Sequence, residues 1–232
     1  MPVSKLTIAV PVYNERERVG AAMKELLSTP LPVETEVVVV DDGSTDGTWE
    51  QLAQLPLPEN VRLLRHKQNR GKGAALRTAL EAATGDVFVP FDADLEYDPS
   101  DLPACLAPLI RDDADAVYGT RAFGSHTAFS FWFVMGNKLL ALWANVLFNC
   151  YLSDLETCYK MIRTDVLRGL DLRSDDFAIE AELTAKLLRA GHRPFEVPIN
   201  YKARTREQGK KIRWQDGVRA LWVIARIRYM GS

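Results

Sequence analysis

Phe88-Val89-Pro90-Phe91-Asp92-Ala93-Asp94 is a short apolar run that stops abruptly at two carboxylates. Val87 to Phe91 has the length and composition of a strand buried on both faces of a parallel sheet. Asp92 and Asp94 then fall where such a strand ends, at the edge where open α/β sheets bind ligands. Two carboxylates with one residue between them can share a divalent cation, and that cation can bridge a nucleotide diphosphate. Alone, the pattern also describes a solvated turn or a helix cap, so its meaning rests on the other strand ends.

Those ends are similar in kind. Leu6 to Pro11 reads as a first strand that turns at Tyr13-Asn14-Glu15, with Asn14 or Glu15 capping a helix from Glu17 to Ser28. Glu36 to Val40 reads as a second strand and runs into Asp41-Asp42-Gly43-Ser44-Thr45-Asp46-Gly47-Thr48, a tight turn into a helix over 48–55. A third strand over 61–66 leads to Asn69-Arg70-Gly71-Lys72-Gly73 and a helix over 74–83, whose N-terminus favours an anion. A helix over 99–111 and a strand over 116–119 follow, the latter ending at Thr120-Arg121. Strands alternating with helices predict right-handed crossovers and a mainly parallel sheet flanked by helices. Tyr13-Asn14-Glu15, Asp41-Asp42, Asp92-Ala93-Asp94 and Arg121 then converge on one crevice suited to a metal–diphosphate ligand.

The chain has 232 residues, ordinary hydrophobic (47%) and charged (26%) fractions, and a formal net charge of −2. One domain spanning 1–232 is expected, and the charge argues against a nucleic-acid partner. Cys105, Cys150 and Cys158 are scattered, which predicts neither a disulfide framework nor a zinc site and points to a reducing compartment. The first residues lead straight into a strand, so no signal peptide is expected. The apolar stretch over 128–152 is interrupted by Asn137 and Lys138, and Asn137, Asn145 and Asn149 fall at multiples of four. This predicts an amphipathic helix with a polar stripe, not a membrane span.

The last third adds a short strand over 158–162, a helix over 177–190 with Gly191 as its cap, and an extended segment over 195–201. Lys202, Arg204, Arg206, Lys210, Lys211 and Arg213 form a basic loop, and an amphipathic helix over 214–229 follows. Both apolar helices could lie against a membrane surface.

Taken in order, Val10-Pro11-Val12-Tyr13-Asn14-Glu15, the Asp41–Thr48 turn, Asn69–Gly73 and Asp92-Ala93-Asp94 resemble the nucleotide-sugar motifs of a family 2 glycosyltransferase with the GT-A fold. The resemblance covers about the first 125 residues, the nucleotide-sugar part, leaving 126–232 as the acceptor side. That second part resembles the polyprenyl-phosphate branch, which is similar to dolichyl-phosphate mannose synthase. It does so through Asp154-Leu155-Glu156-Thr157-Cys158-Tyr159-Lys160 and through Arg204 with Gly209-Lys210-Lys211 after Val197-Pro198-Ile199.

The resemblance implies donor contacts from Pro11, Tyr13, Glu15, Asp42, Lys72, Asp92, Ala93 and Asp94. It implies Mg²⁺ or Mn²⁺ on Asp92 and Asp94, with Asp94 and Arg121 serving the reaction. Arg121, Arg204, Lys210 and Lys211 would hold an acceptor phosphate. Hydroxyl-using relatives carry a base in a Glu-Asp-x-Glu-Leu pattern. Here the run is Ile179-Glu180-Ala181-Glu182-Leu183, which departs from the pattern and puts Glu180 at the base position. The implied reaction is inverting transfer of a sugar from a nucleotide diphosphate sugar to a polyprenyl phosphate, in the cytoplasm or peripherally on the inner membrane face. A soluble hydroxyl acceptor and a non-catalytic nucleotide-binding domain are the alternatives.

Overall fold

The computed structural model describes residues 2–127, 130–203 and 214–231. Its seven-stranded sheet has the order β3-β2-β1-β4-β6-β5-β7. The first half alternates as the sequence predicts: β1 (Lys5–Val12), α1 (Arg16–Ser28), β2 (Glu34–Asp41), α2 (Thr48–Gln54), β3 (Val61–Arg65), α3 (Lys72–Ala82), β4 (Val87–Pro90). A 3₁₀ turn at Pro99–Asp101 leads into α4 (Leu102–Ile110), then β5 (Ala116–Thr120). The second half holds α5 (Phe131–Phe148), β6 (Lys160–Arg163), α6 (Thr164–Gly169), α7 (Ile179–Arg189), β7 (Phe195–Pro198) and α8 (Trp214–Met230).

β1, β2, β3 and β4 are mutually parallel, and β5 pairs in parallel with β7. β6 lies between β4 and β5 and is antiparallel to both, so β5 keeps the direction of β4. The strand expected over 158–162 is therefore present but reversed, a departure from the simple crossover pattern. Its first residue, not its last, sits at the edge where the parallel strands end.

Side chains alternate across the pleat, and each face of the sheet has its own core. Ala9, Val38, Val40 and Phe88 face α3, α5, α7 and α8, packing among Ala75, Leu140, Ala144, Leu187 and Ile224. Ile8, Val10, Val37, Val39, Val87 and Val89 face α1, α2 and α4, among Met23, Leu26, Leu52, Leu102 and Leu106. The valine run of β2 is thus buried on both sides, as its composition predicts.

The expected capping of α1 differs from the observed one. Neither Asn14 nor Glu15 caps it through a side chain. Asn14 adopts φ 51°, and its Oδ1 accepts from Thr45 N at 2.9 Å, while Asn14 N donates to Ser44 Oγ at 2.9 Å. Asp46 Oδ2 accepts from Arg16 N at 3.1 Å, and Thr48 Oγ1 accepts from Glu15 N at 3.0 Å. The turns after β1 and β2 cap each other, which locks two walls of the crevice together.

By length and composition α5, with 18 residues, qualifies as a helix able to cross a membrane. Here it packs on the domain through Leu140, Ala141, Ala144 and Phe148. Its asparagines are not a solvated stripe. Asn145 is bonded to Leu152 through both backbone groups, at 3.0 and 2.8 Å, and Asn149 is the left-handed C-cap. Asn137 reaches into the site described next.

Candidate active site

Pro11, Tyr13, Glu15, Asp42, Lys72, Asp92, Ala93, Asp94, Arg121 and Glu180 all line one cavity of about 1250 Å³ at the C-terminal edge of the parallel strands. This is where the topology of an open sheet leaves room for a ligand. The cavity exceeds the roughly 300–1,000 Å³ usual for a single small ligand. Arg204, Lys210 and Lys211 lie outside the described residues.

At the β2 end only one member of Asp41-Asp42 faces the cavity, because successive side chains point to opposite faces. Asp41 is fully buried, with its Oδ2 3.3 Å from Arg65 Nε. Asp42 lines the cavity, but the backbone of the next loop already claims its carboxylate. Oδ1 accepts from Arg70 N at 2.9 Å and lies 2.6 Å from His66 Nδ1, and Oδ2 accepts from Gly71 N at 2.7 Å. The anion expected at the start of α3 is thus, in part, Asp42 itself. Gly71 has φ 96°, and a Cβ there would lie 2.2 Å from Asp175 O. Only glycine lets the loop pass this closely.

The centre of the cavity is a chain of alternating charges. Lys72 Nζ is 2.9 Å from Asp92 Oδ2 and 3.1 Å from Glu180 Oε1. Glu180 Oε2 pairs with Lys160 Nζ, which also donates to Thr157 O at 2.7 Å. Lys160 has no exposure at all, and Glu180 is 5% exposed. Burial opposes the charged form of Glu180, but Lys160 and Lys72 override it and hold the carboxyl below its usual range. Burial likewise opposes the Lys72 ammonium, and Asp92, with Glu180, keeps it charged. Glu180, which the resemblance puts at the base position, lines the same cavity, yet it is clamped between two ammonium groups.

Asp92 and Asp94 stand half-buried at the end of β4, and Asp94 Oδ1 accepts from Glu96 N at 3.1 Å. Among the described residues no group of three or more His, Cys, Asp or Glu side chains is placed to hold a metal. Two carboxylates facing a cavity still offer the hard oxygen donors that Mg²⁺ or Mn²⁺ requires, with phosphate oxygens and water completing the set.

Arg121 also reaches the cavity, but the bidentate edge expected to grip a phosphate is occupied. Its Nε donates to Asp154 Oδ2 at 2.7 Å and Nη2 to Asp154 Oδ1 at 2.8 Å, and its guanidinium lies over the Tyr201 ring. Burial opposes the Asp154 charge, and Arg121 outweighs it, keeping that carboxyl low. Asn137 of α5 holds this corner: Nδ2 donates to Asp154 Oδ1 at 2.8 Å, and Oδ1 accepts from Leu155 N at 3.3 Å and Glu156 N at 3.2 Å.

The sequence reading did not single out Glu156, Asp154, Lys160 or Tyr201 as site residues, although three of them belong to the Asp154–Lys160 run it quoted. A lysine opening a buried strand was the available signal, because it demands an anion brought by another element. The cavity also has an apolar lining, from Trp132, Phe133 and Leu139 of α5 and Val218 and Leu221 of α8.

Comparisons with known proteins agree with this geometry. The sequence profile of Glycosyl transferase family 2 matches residues 7–170. The chain is 28% identical over 212 residues to the dolichol-phosphate mannosyltransferase of Pyrococcus furiosus, covering 89% of this chain and 59% of that protein. It is 31% identical over 218 residues to the undecaprenyl-phosphate mannosyltransferase of Micrococcus luteus, covering 88% of this chain and 86% of that one. Among solved structures it is similar to glucosyl-3-phosphoglycerate synthase from Mycobacterium tuberculosis in complex with Mn²⁺, UDP and glucosyl-3-phosphoglycerate. The TM-score is 0.71 at 17% identity, over 97% of this chain and 80% of that one, which supports the GT-A fold.

Proposed function

Given that the chain belongs to glycosyl transferase family 2, we propose that it moves a sugar from a nucleoside-diphosphate sugar to a polyprenyl phosphate, with inversion at the anomeric carbon. The observation that carries this reading is one cavity lined both by buried acidic and cationic side chains and by exposed apolar side chains of α5 and α8. Its relatives from Pyrococcus furiosus and Micrococcus luteus bear the names of polyprenyl-phosphate mannosyltransferases, which supports the same acceptor.

In this reading Pro11, Tyr13 and Glu15 border the nucleoside, while Asp42 fixes the 69–71 loop beneath it. Lys72, kept charged by Asp92 and Glu180, faces the donor diphosphate. Asp92 and Asp94 would hold Mg²⁺ or Mn²⁺, which supplies charge neutralisation at the departing nucleoside diphosphate. A hydroxyl acceptor needs a carboxylate free to take its proton. Glu180, held below its usual range by two ammonium groups, is poorly suited to that task. A phosphate acceptor is already anionic and needs only positioning and charge compensation. This favours the phosphate over the soluble hydroxyl acceptor.

The same reading places the protein on the cytoplasmic membrane face. Trp132 (79% exposed) and Leu142 of α5, and Trp222 and Tyr229 of α8, are exposed apolar side chains, and α8 also carries Arg219, Arg226 and Arg228. Aromatic and cationic side chains in that combination favour a lipid interface.

The test is incubation with radiolabelled GDP-mannose, UDP-glucose and related donors, polyprenyl phosphate, and Mn²⁺ or Mg²⁺. Label should move into the organic phase with one donor, and Asp94→Ala should abolish it. Absence of lipid-extractable label with every donor refutes the reading.

A further inference from the structure

Glu156 stands on the loop before β6, in the wall of the cavity between two ion pairs: Arg121–Asp154 on one side and Lys160–Glu180 on the other. Asn137 fixes its backbone through Glu156 N. Its carboxyl group, by contrast, makes no hydrogen bond or ion pair with any other described residue. A polar side chain so placed, in a wall whose other charges are matched, is available to a ligand.

The field it feels can be read from its neighbours. Lys160 of β6 and Arg121 beyond β5 favour its anion, whereas Glu180 of α7 and Asp154 of its own loop oppose it. α5 contributes only the neutral Asn137 here, and Asp216, at the start of α8, adds a further carboxylate to the cavity wall. Each nearby cation already has its own anion, so the charges largely cancel and burial decides. Burial pushes the Glu156 carboxyl up to about 7.

We propose that Glu156, in its protonated form, donates a hydrogen bond to the acceptor phosphate, so that acceptor binding is coupled to proton occupancy at this residue. The proposal rests on the phosphate-acceptor reading given above. A carboxylate facing a phosphate dianion repels it, while a carboxylic acid offers a short charge-assisted O–H···O⁻ bond. The principle is that of a carboxyl kept neutral by an apolar site so that it can donate. It matters here because Asp154 already occupies the bidentate edge of Arg121. Glu156 is then a binding residue that discriminates a phosphate acceptor from a neutral one, and it keeps its proton throughout the transfer.

The test is the pH dependence of kcat/KM for polyprenyl phosphate in the wild type, Glu156→Gln and Glu156→Ala, with thermal melts to confirm folding. The wild-type profile should be bell-shaped. Its acid limb follows the second ionisation of the phosphate, at about 6, and its alkaline limb lies at about 7. Glutamine keeps a neutral donor, so Glu156→Gln should lose the alkaline limb and exceed the wild type about tenfold at about pH 8. Alanine offers no donor, so Glu156→Ala should raise the acceptor KM at every pH, more than it lowers kcat. If Glu156→Ala fails to fold, the alkaline limb of Glu156→Gln decides alone. An alkaline limb that persists in Glu156→Gln overturns the proposal, as does a Glu156→Gln enzyme without turnover, which would mark a base. A wild type that labels only hydroxyl compounds instead refutes the phosphate-acceptor reading on which the proposal stands.

Discussion

Replacing Glu180 by glutamine tests the charge chain at the floor of the cavity. In the native protein Glu180 is the anion facing Lys160, whose ammonium has no exposure and whose other contacts are one carbonyl oxygen, at 2.7 Å, and the face of Tyr118. Glutamine fills the same space and can still accept a hydrogen bond, but it removes the one anion bonded to that ammonium and leaves only the Glu156 carboxyl in its field. Lys72 is less affected, because it keeps Asp92 at 2.9 Å. Breaking a buried pair from one side costs about 3–5 kcal/mol. The retained hydrogen bond places Glu180→Gln near the lower end, a loss of about 3 kcal/mol. Urea denaturation reads it as a lowered midpoint with an unchanged slope.

Replacing the pair together, as Lys160→Met with Glu180→Leu, should return stability to within about 1 kcal/mol of the wild type, since both desolvation penalties disappear. The pH dependence has a definite sign. The Glu180 carboxyl is held below its unfolded value of 4.5, so its contribution is fully present above that pH and is lost as the pH falls through the folded value. Measured in a Glu156→Gln background, which removes the titration of that neighbour, the gap made by Glu180→Gln should therefore stay constant between about pH 6 and 8 and close only in acid. A loss below about 1 kcal/mol, or a gap that closes near neutrality, would refute the account of Glu180 as a clamped anion.

Other residues give simpler expectations. Asn137→Ala leaves Leu155 N and Glu156 N without their acceptor and Asp154 without a donor, a loss of about 2 kcal/mol. In a protein of this size that is a fall in Tm of about 4–8 °C, measurable by calorimetry. Gly71→Ala forces a Cβ to within 2.2 Å of Asp175 O at a φ of 96°. It should weaken nucleotide binding in titration calorimetry by more than it lowers Tm, because the loop held by Asp42 must move. Trp132→Ala with Trp222→Ala removes two of the largest exposed apolar side chains of α5 and α8. Sedimentation with anionic vesicles should show binding reduced about tenfold or more, and undiminished binding would remove these helices from the membrane face.

The sequence was most legible where structure is local. The valine run of β2 and the Val87–Phe91 run declare strands buried on both faces, and the acidic and glycine-rich turns after them mark the ligand edge. Such signals sit within a few residues of the feature they describe. β6 was found but not its direction, because four residues bounded by Lys160 and Arg163 carry no information about which way they pair. Both charges are tolerable in a strand only because distant partners arrive: Glu180 for Lys160, and Asp112 and Asp115 for Arg163.

The partners of Asn137 are illegible for the same reason. Helical periodicity places it beside Asn145 but cannot see the 154–156 loop that makes it an internal ligand of the backbone. Asn14 looked like a cap because the sequence cannot show that its carboxamide is taken by the neighbouring turn. At the site itself, residue types and strand ends located the cavity wall. What they could not show is which carboxylates are already engaged: Asp42 by the 69–71 loop, Asp154 by Arg121, Glu180 by two lysines, and Glu156 by none of them.

The reversed strand also bears on how the chain assembles. β4 finds its outer neighbour in β6, and β5, with β7 on its far side, joins the parallel strands of the first half through β6. During synthesis, therefore, the four strands β3-β2-β1-β4 can form early but must leave β4 as an open edge until residues 160–163 emerge. β5, made some forty residues before its partner, waits as well. An N-terminal fragment ending near residue 125 would carry every donor-side motif and still leave unpaired the outer edge of β4 and both edges of β5, which are prone to self-association. Within the sheet, β4 and β5 of the first part of the chain are thus joined by one four-residue strand of the second.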